Sequence, residues 1–134
     1  MQKNLLTFLI DDDEDDQEIF SMALKETNPQ IQCVFANDGV YALEKIKADN
    51  TFMPDVIFID INMPRMNGIQ CLSAIKKVAG FQHVPAYIYS TYADKSIVDE
   101  CLRLGASGFI KKEISIEELQ KQLLRVFTQI KKYS

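Results

Sequence analysis

Five short apolar runs punctuate the chain, at Leu5 to Ile10, Ile31 to Phe35, Val56 to Ile59, Ala86 to Tyr89 and Gly108 to Ile110, and each is separated from the next by a polar or amphipathic stretch. The runs are continuous rather than alternating. Strands of that kind are buried on both faces, as in a parallel sheet held between two layers of helices. The repeated strand-then-helix order therefore predicts an α/β fold, a doubly wound five-stranded parallel sheet with five helices. The 134 residues, 47% of them hydrophobic, suffice for one core without disulfides or a structural metal. The expectation is a single domain over residues 1–134 with no output domain.

The intervening segments carry helix signals. Asn37 is read as the cap of a segment with Val40, Leu43 and Ile46 on one face, and Asp94 as the cap of one with Ile97, Cys101 and Leu104. Ser115 and Glu118 form a capping box ahead of an apolar stripe through Ile116, Leu119, Leu123, Val126 and Ile130. Lys131 and Lys132 then suit the negative end of that helix.

Composition excludes several function classes. A formal charge of -4 argues against nucleic acid as the main partner, because binding a phosphate backbone needs clustered Lys and Arg. Cys33, Cys71 and Cys101 are odd in number and form no CxxC pair, so they read as reduced core thiols. No apolar run approaches a membrane span, and the start of the chain lacks the layout of a signal peptide. The expected location is the cytoplasm, with no membrane partner. Neither a Walker loop nor a GxGxxG turn follows the first strand, which disfavours nucleotide binding.

In an open parallel sheet, functional residues gather at the carboxyl ends of the strands. The residues that fall there are Asp11, Asp12 and Asp13 after the first run, Asp60 after the third, Ser90 and Thr91 after the fourth, and Lys111 and Lys112 after the fifth. Of the acidic run from Asp11 to Asp16, residues Asp13 to Asp16 are assigned to capping and to the first turn of a helix, leaving Asp11 and Asp12 to point into the crevice. Three carboxylates held together with Asp60 call for a cation. Magnesium suits the site, since it is commonly bound by one or two carboxylates plus a phosphate and keeps several waters. An ionised Asp60 is a nucleophile that needs no general base. Lys112 would supply positive charge, and Ser90 a hydroxyl, to the oxygens of a transferring phosphoryl group. Lys111 adjoins Lys112, so the register of the phosphate-binding lysine is open by one residue, with Lys112 preferred.

Four segments, FLIDDD, PDVIFIDINMPRMNG, VPAYIYST and GASGFIKK, spread between residues 8 and 112, together resemble the signature blocks of bacterial response-regulator receiver domains. The resemblance implies the flavodoxin-like strand order 2-1-3-4-5 and a phosphoacceptor role in two-component signalling. It implies phosphorylation at Asp60, direct magnesium ligation by Asp12, weaker or water-mediated contact from Asp11, and a backbone carbonyl ligand from Asn62. It implies Ser90 and Lys112 as phosphoryl ligands, with Ser90 and Phe109 as a coupled switch. It places Asn62, Thr91 and Tyr92 where access to the phosphoryl group, and so its hydrolysis, is tuned. Partners follow: a histidine kinase or histidine phosphotransfer protein as donor, and a downstream protein or a second copy docking on the face made by the fourth helix, fifth strand and fifth helix. Chemistry would be limited to self-phosphorylation from a phosphodonor and slow autodephosphorylation.

One departure is that Glu113 stands where many receivers have a proline, which predicts no cis bond after Lys112 and a competitor for its charge. His83 is read as a surface loop residue rather than a phosphocarrier. Two other functions compete. A haloacid-dehalogenase-like phosphohydrolase expects a second Asp two residues after the nucleophile, where this chain has Asn62. A phosphorylation-independent interaction module would leave the full set of chemical groups unexplained.

Overall fold

The computed structural model describes residues 5–92, 94–112 and 115–131. Its elements alternate as the sequence pattern predicts: β1 (Leu6–Ile10), α1 (Glu14–Thr27), β2 (Gln32–Ala36), α2 (Gly39–Ala48), β3 (Val56–Ile59), α3 (Gly68–Lys76), β4 (Ala86–Ser90), α4 (Lys95–Arg103), β5 (Gly108–Lys111) and α5 (Ile116–Lys131). The strands form one parallel sheet in the order β2-β1-β3-β4-β5. This is the flavodoxin-like order 2-1-3-4-5.

Side-chain alternation along each strand divides the core in two. Phe8 and Ile10, Ile57 and Ile59, and Ala86 and Ile88 face α2, α3 and α4, joining Leu43, Ile46, Leu72, Ile75 and Cys101. Leu9, Val56, Phe58, Tyr87 and Tyr89 face α1 and α5, joining Phe20, Leu24, Leu119, Leu123 and Phe127. Edge-on contacts of Phe20 with Phe58 and Tyr89 tie α1 to this side of the sheet. Burial on both faces is nearly complete in the central strands β1, β3 and β4, whereas β2 and β5 are only partly covered because each has a strand on one side alone.

Helix starts follow local side-chain chemistry. Asp13 accepts from the Asp15 and Asp16 amides to cap α1, and Asp94 accepts from Ile97 to cap α4. The expected cap of α2 is corrected. Asp38, not Asn37, accepts from the Tyr41 amide at 2.8 Å, while the Asn37 side chain accepts from Gln17 Nε2 at 2.9 Å. Asp38 takes the extended conformation that aims its carboxylate at the third helical amide, so Asn37 falls one position short. The Ser115 hydroxyl accepts from the Glu118 amide only at 3.4 Å, and the Glu118 carboxylate turns instead to Lys121. A complete capping box does occur, in α3, where Asn67 and Gln70 satisfy each other's amides.

The expectations for Glu113, including its peptide bond with Lys112 and its competition for that lysine, fall outside the described residues, as does that for Lys132. His83 is exposed in the loop before β4, as expected. No helix of the described residues is long and apolar enough to cross a membrane.

Candidate functional site

The sheet ladder runs one residue past three of its strands and fixes the site's backbone. The Asp11 amide donates to the Ala36 carbonyl at 3.0 Å, Asp60 to Ile10 at 2.9 Å, and Lys112 to Ser90 at 2.8 Å. Backbone bonding therefore sets the side chains of Asp11, Asp60 and Lys112 at one edge before any side-chain interaction is counted.

Among the described residues, Asp11, Asp12 and Asp60 form a group able to hold a metal ion, each offering a carboxylate oxygen within 4.8 Å of the others. Asp11 is fully buried, Asp60 is 5% exposed, and Asp12 is open to solvent. The donor set suits magnesium: hard oxygen ligands, few in number, with one side accessible to water and to an incoming anion. The Asn62 amide donates to Asp60 Oδ1 at 3.3 Å. Asn62 thus lies directly beside the Asp60 carboxylate, in the loop that Gly68 closes by donating its amide to the Ile61 carbonyl at 2.8 Å.

Lys112 is the cationic centre. Its ammonium lies 2.9 Å from Asp11 Oδ2, 2.8 Å from Asp16 Oδ2 and 3.6 Å from Asp60 Oδ1, and sits over the Tyr89 ring at 5.3 Å from the centroid. Asp11 Oδ1 accepts from the Asp13 amide, whereas Oδ2 has the Lys112 contact in an orientation too poor to count as a hydrogen bond. Lys111 is exposed, and its backbone exchanges hydrogen bonds with the Gln122 side chain on α5.

These groups perturb one another. Burial pushes the Asp60 carboxyl up to about 7; the Lys112 charge opposes the rise and the nearby Asp11 and Asp12 charges add to it. Burial likewise raises Asp11. Burial alone would lower the Lys112 ammonium, but its interactions with the Asp16, Asp11 and Asp60 carboxylates outweigh that, and it is raised. Such a site favours cation binding, which would relieve the repulsion among the carboxylates.

Ser90 is buried at the end of β4, and its hydroxyl donates to the Tyr92 carbonyl at 3.1 Å. Thr91 is exposed, and Tyr92 is 65% exposed. Phe109 is half-buried on β5, packed against the core below α4. Asp16 adds a second role to the acidic run. It stands in the first turn of α1, yet its carboxylate reaches across to Lys112. The signal in the sequence was only an acid at the right helical spacing, and its partner lies 96 residues away.

The sequence matches the Response regulator receiver domain family over residues 7–124. It is 32% identical over 109 residues to the transcriptional regulatory protein DegU of Brevibacillus brevis, covering 78% of this chain and 44% of the relative. It is 38% identical over 99 residues to a protein-glutamate methylesterase/protein-glutamine glutaminase of Clostridium acetobutylicum, covering 72% of this chain and 27% of that protein. The matches therefore span less than half the length of these curated relatives. Among solved structures, chemotaxis protein CheY4 of Vibrio cholerae is 27% identical with a TM-score of 0.80, over 92% of this chain and 99% of that one. The response regulator domain of Thermotoga maritima CheB is 28% identical with a TM-score of 0.80, over 97% and 98%. The chain belongs to the response regulator receiver domain family. Receiver domains are the phosphoacceptor modules of two-component signalling and are generally not enzymes in their own right.

Proposed function

We propose that Asp60 is the phosphoacceptor of this receiver, working with magnesium held by Asp11, Asp12, Asp60 and the Asn62 carbonyl. The observation that carries the reading is the convergence of three carboxylates within 4.8 Å of one another at the sheet edge, with the Lys112 ammonium beside them. An Asp60 oxygen attacks the phosphorus of the donor. A P–O bond forms as the donor's bond to phosphorus breaks, and the bonding pair leaves with the donor group: acetate from acetyl phosphate, or the imidazole nitrogen of a phosphohistidine, which then takes a proton from solvent. Magnesium, when bound, supplies positive charge to the phosphoryl oxygens.

Lys112 stands near enough to donate to the same group. Ser90 reaches it by giving up its bond to the Tyr92 carbonyl, which couples acceptor chemistry to the loop after β4. Phe109 follows by moving into the space below α4, remodelling the face of α4, β5 and α5. Asn62, Thr91 and Tyr92 border the path of water to the phosphoryl group. The donor is a histidine kinase or histidine phosphotransfer protein, and the remodelled face docks on a downstream protein or a second copy of the chain, in the cytoplasm and without nucleic acid or membrane. The signal passes through that contact.

The decisive experiment is incubation with acetyl phosphate and magnesium, followed by intact-mass measurement. One added phosphoryl group is expected, lost in Asp60→Asn and on chelation. Full labelling of Asp60→Asn would overturn the assignment.

A further inference from the structure

Lys112 is gripped by a carboxylate that the proposed chemistry does not use. Asp16 lies outside the group of carboxylates able to hold a metal, yet it makes the shortest contact of the ammonium, 2.8 Å, against 2.9 Å for Asp11 and 3.6 Å for Asp60. The Asp16 contact is a charge-assisted hydrogen bond, the Asp11 contact has the distance of one but not the orientation, and the Asp60 contact is beyond the range. We infer that Asp16 is a positioning residue that holds the Lys112 ammonium short of Asp60 and so keeps the acceptor oxygens open to phosphorus. The inference rests on the reading of Asp60 as acceptor.

Both ends of the tether are fixed. The Asp16 amide donates to the Asp13 cap at 3.1 Å, which anchors the carboxylate in the first turn of α1. The Lys112 amide is held by Ser90, and its ammonium rests over the buried Tyr89 ring. Lys112 is 11% exposed at its side chain, so water is poorly placed to replace a lost partner. An ammonium has three N–H donors and must direct them at acceptors when buried. Without the Asp16 charge, the anions left to the ammonium are Asp11, already at 2.9 Å, and Asp60 at 3.6 Å, so Asp60 is the one with distance left to close. Closing that gap would put a charge-assisted bond on the carboxylate that has to bond to phosphorus.

Asp15 provides the control. It is an exposed acid on the same helical turn and carries the same formal charge, but makes no ion pair with Lys112 among the described contacts. Asp15→Asn therefore removes equal charge from the neighbourhood without cutting the tether.

The test compares wild type, Asp16→Asn, Asp16→Glu and Asp15→Asn in two measurements. In metal-free crystal structures, Asp16→Asn should bring the Lys112 ammonium within hydrogen-bond distance of Asp60, while the other three keep the wider spacing. In acetyl phosphate labelling at saturating magnesium, Asp16→Asn should slow phosphorylation roughly tenfold, the effect of one hydrogen bond to a charged group. Asp16→Glu should recover most of the rate, and Asp15→Asn should match wild type. An unchanged spacing or an unchanged rate in Asp16→Asn overturns the proposal, as does equal slowing by Asp15→Asn. Should wild type take no label on Asp60, the acceptor reading falls, and the spacing in Asp16→Asn alone decides the role of Asp16.

Discussion

Gly68 lies against the backbone of Asp60 so closely that a Cβ built on it would meet the Asp60 carbonyl oxygen and sit 2.9 Å from the carbonyl carbon. The obstacle is main chain, which cannot rotate aside as a side chain can. Gly68→Ala must therefore shift the start of α3 or the strand end that carries Asp60. The expected cost is about 3 kcal/mol, the upper part of the range for overpacking, measured by urea unfolding. A stability equal to wild type would refute the contact.

Arg65, in the loop after Asp60, has φ at 66° and forms an ion pair with Asp38, the cap of α2. Two variants separate backbone strain from charge. Arg65→Ala and Arg65→Gly both remove the guanidinium, but only glycine adopts that φ without penalty. Arg65→Gly is expected to be more stable than Arg65→Ala by about 1 kcal/mol, compared by thermal melts in the same buffer. Equal stabilities would mean that the loop relaxes out of the left-handed region once the ion pair is gone.

Much of this site was legible because it depends on strand ends. Asp11, Asp60 and Lys112 each follow an apolar run directly, and the sheet ladder carries that sequence adjacency into space. What the sequence withheld was choice among like residues. Asn37 and Asp38 are both good caps, and only the backbone angle at Asp38 decides between them. Lys111 is exposed and meets Gln122 through its backbone, whereas the Lys112 ammonium meets the carboxylates. Asp13 to Asp16 all suit a helix start, but the rotation of α1 over the sheet aims Asp16 alone of these four at Lys112 among the described contacts. Each such choice depends on helix rotation or tertiary contact, which a one-dimensional pattern does not encode.

Burial raises the thiols of Cys33 and Cys71 to about 12, and raises that of Cys101. Thiolate is the reactive form, and Cys71 and Cys101 are in addition shielded from reagents by the core. Native protein at pH 8 should thus react slowly with a disulfide reagent such as dithionitrobenzoate, and all three thiols should titrate at once in denaturant. A fast-reacting thiol in the native state would contradict this packing.

Replacing Asp60 should stabilise the fold in the absence of metal. Its carboxyl rises from the ordinary 3.8 to about 7 on burial, so the native state holds the proton more tightly than the unfolded chain. Stability is then greatest below 3.8 and declines as pH climbs toward 7, because ionisation in the folded site costs more than in water. The neutral amide introduced by Asp60→Asn has no such cost, and Lys112 keeps its closer partners Asp11 and Asp16 when the 3.6 Å contact is lost. In chelator, Asp60→Asn should melt on the order of 5 °C above wild type at pH 7, corresponding to about 1–2 kcal/mol. The gap should shrink toward pH 4, where both proteins carry a neutral group at this position. Magnesium should also narrow it at pH 7 by stabilising wild type more. A variant that melts below wild type at pH 7 in chelator would show that the Lys112 contact outweighs the repulsion and burial that raise Asp60.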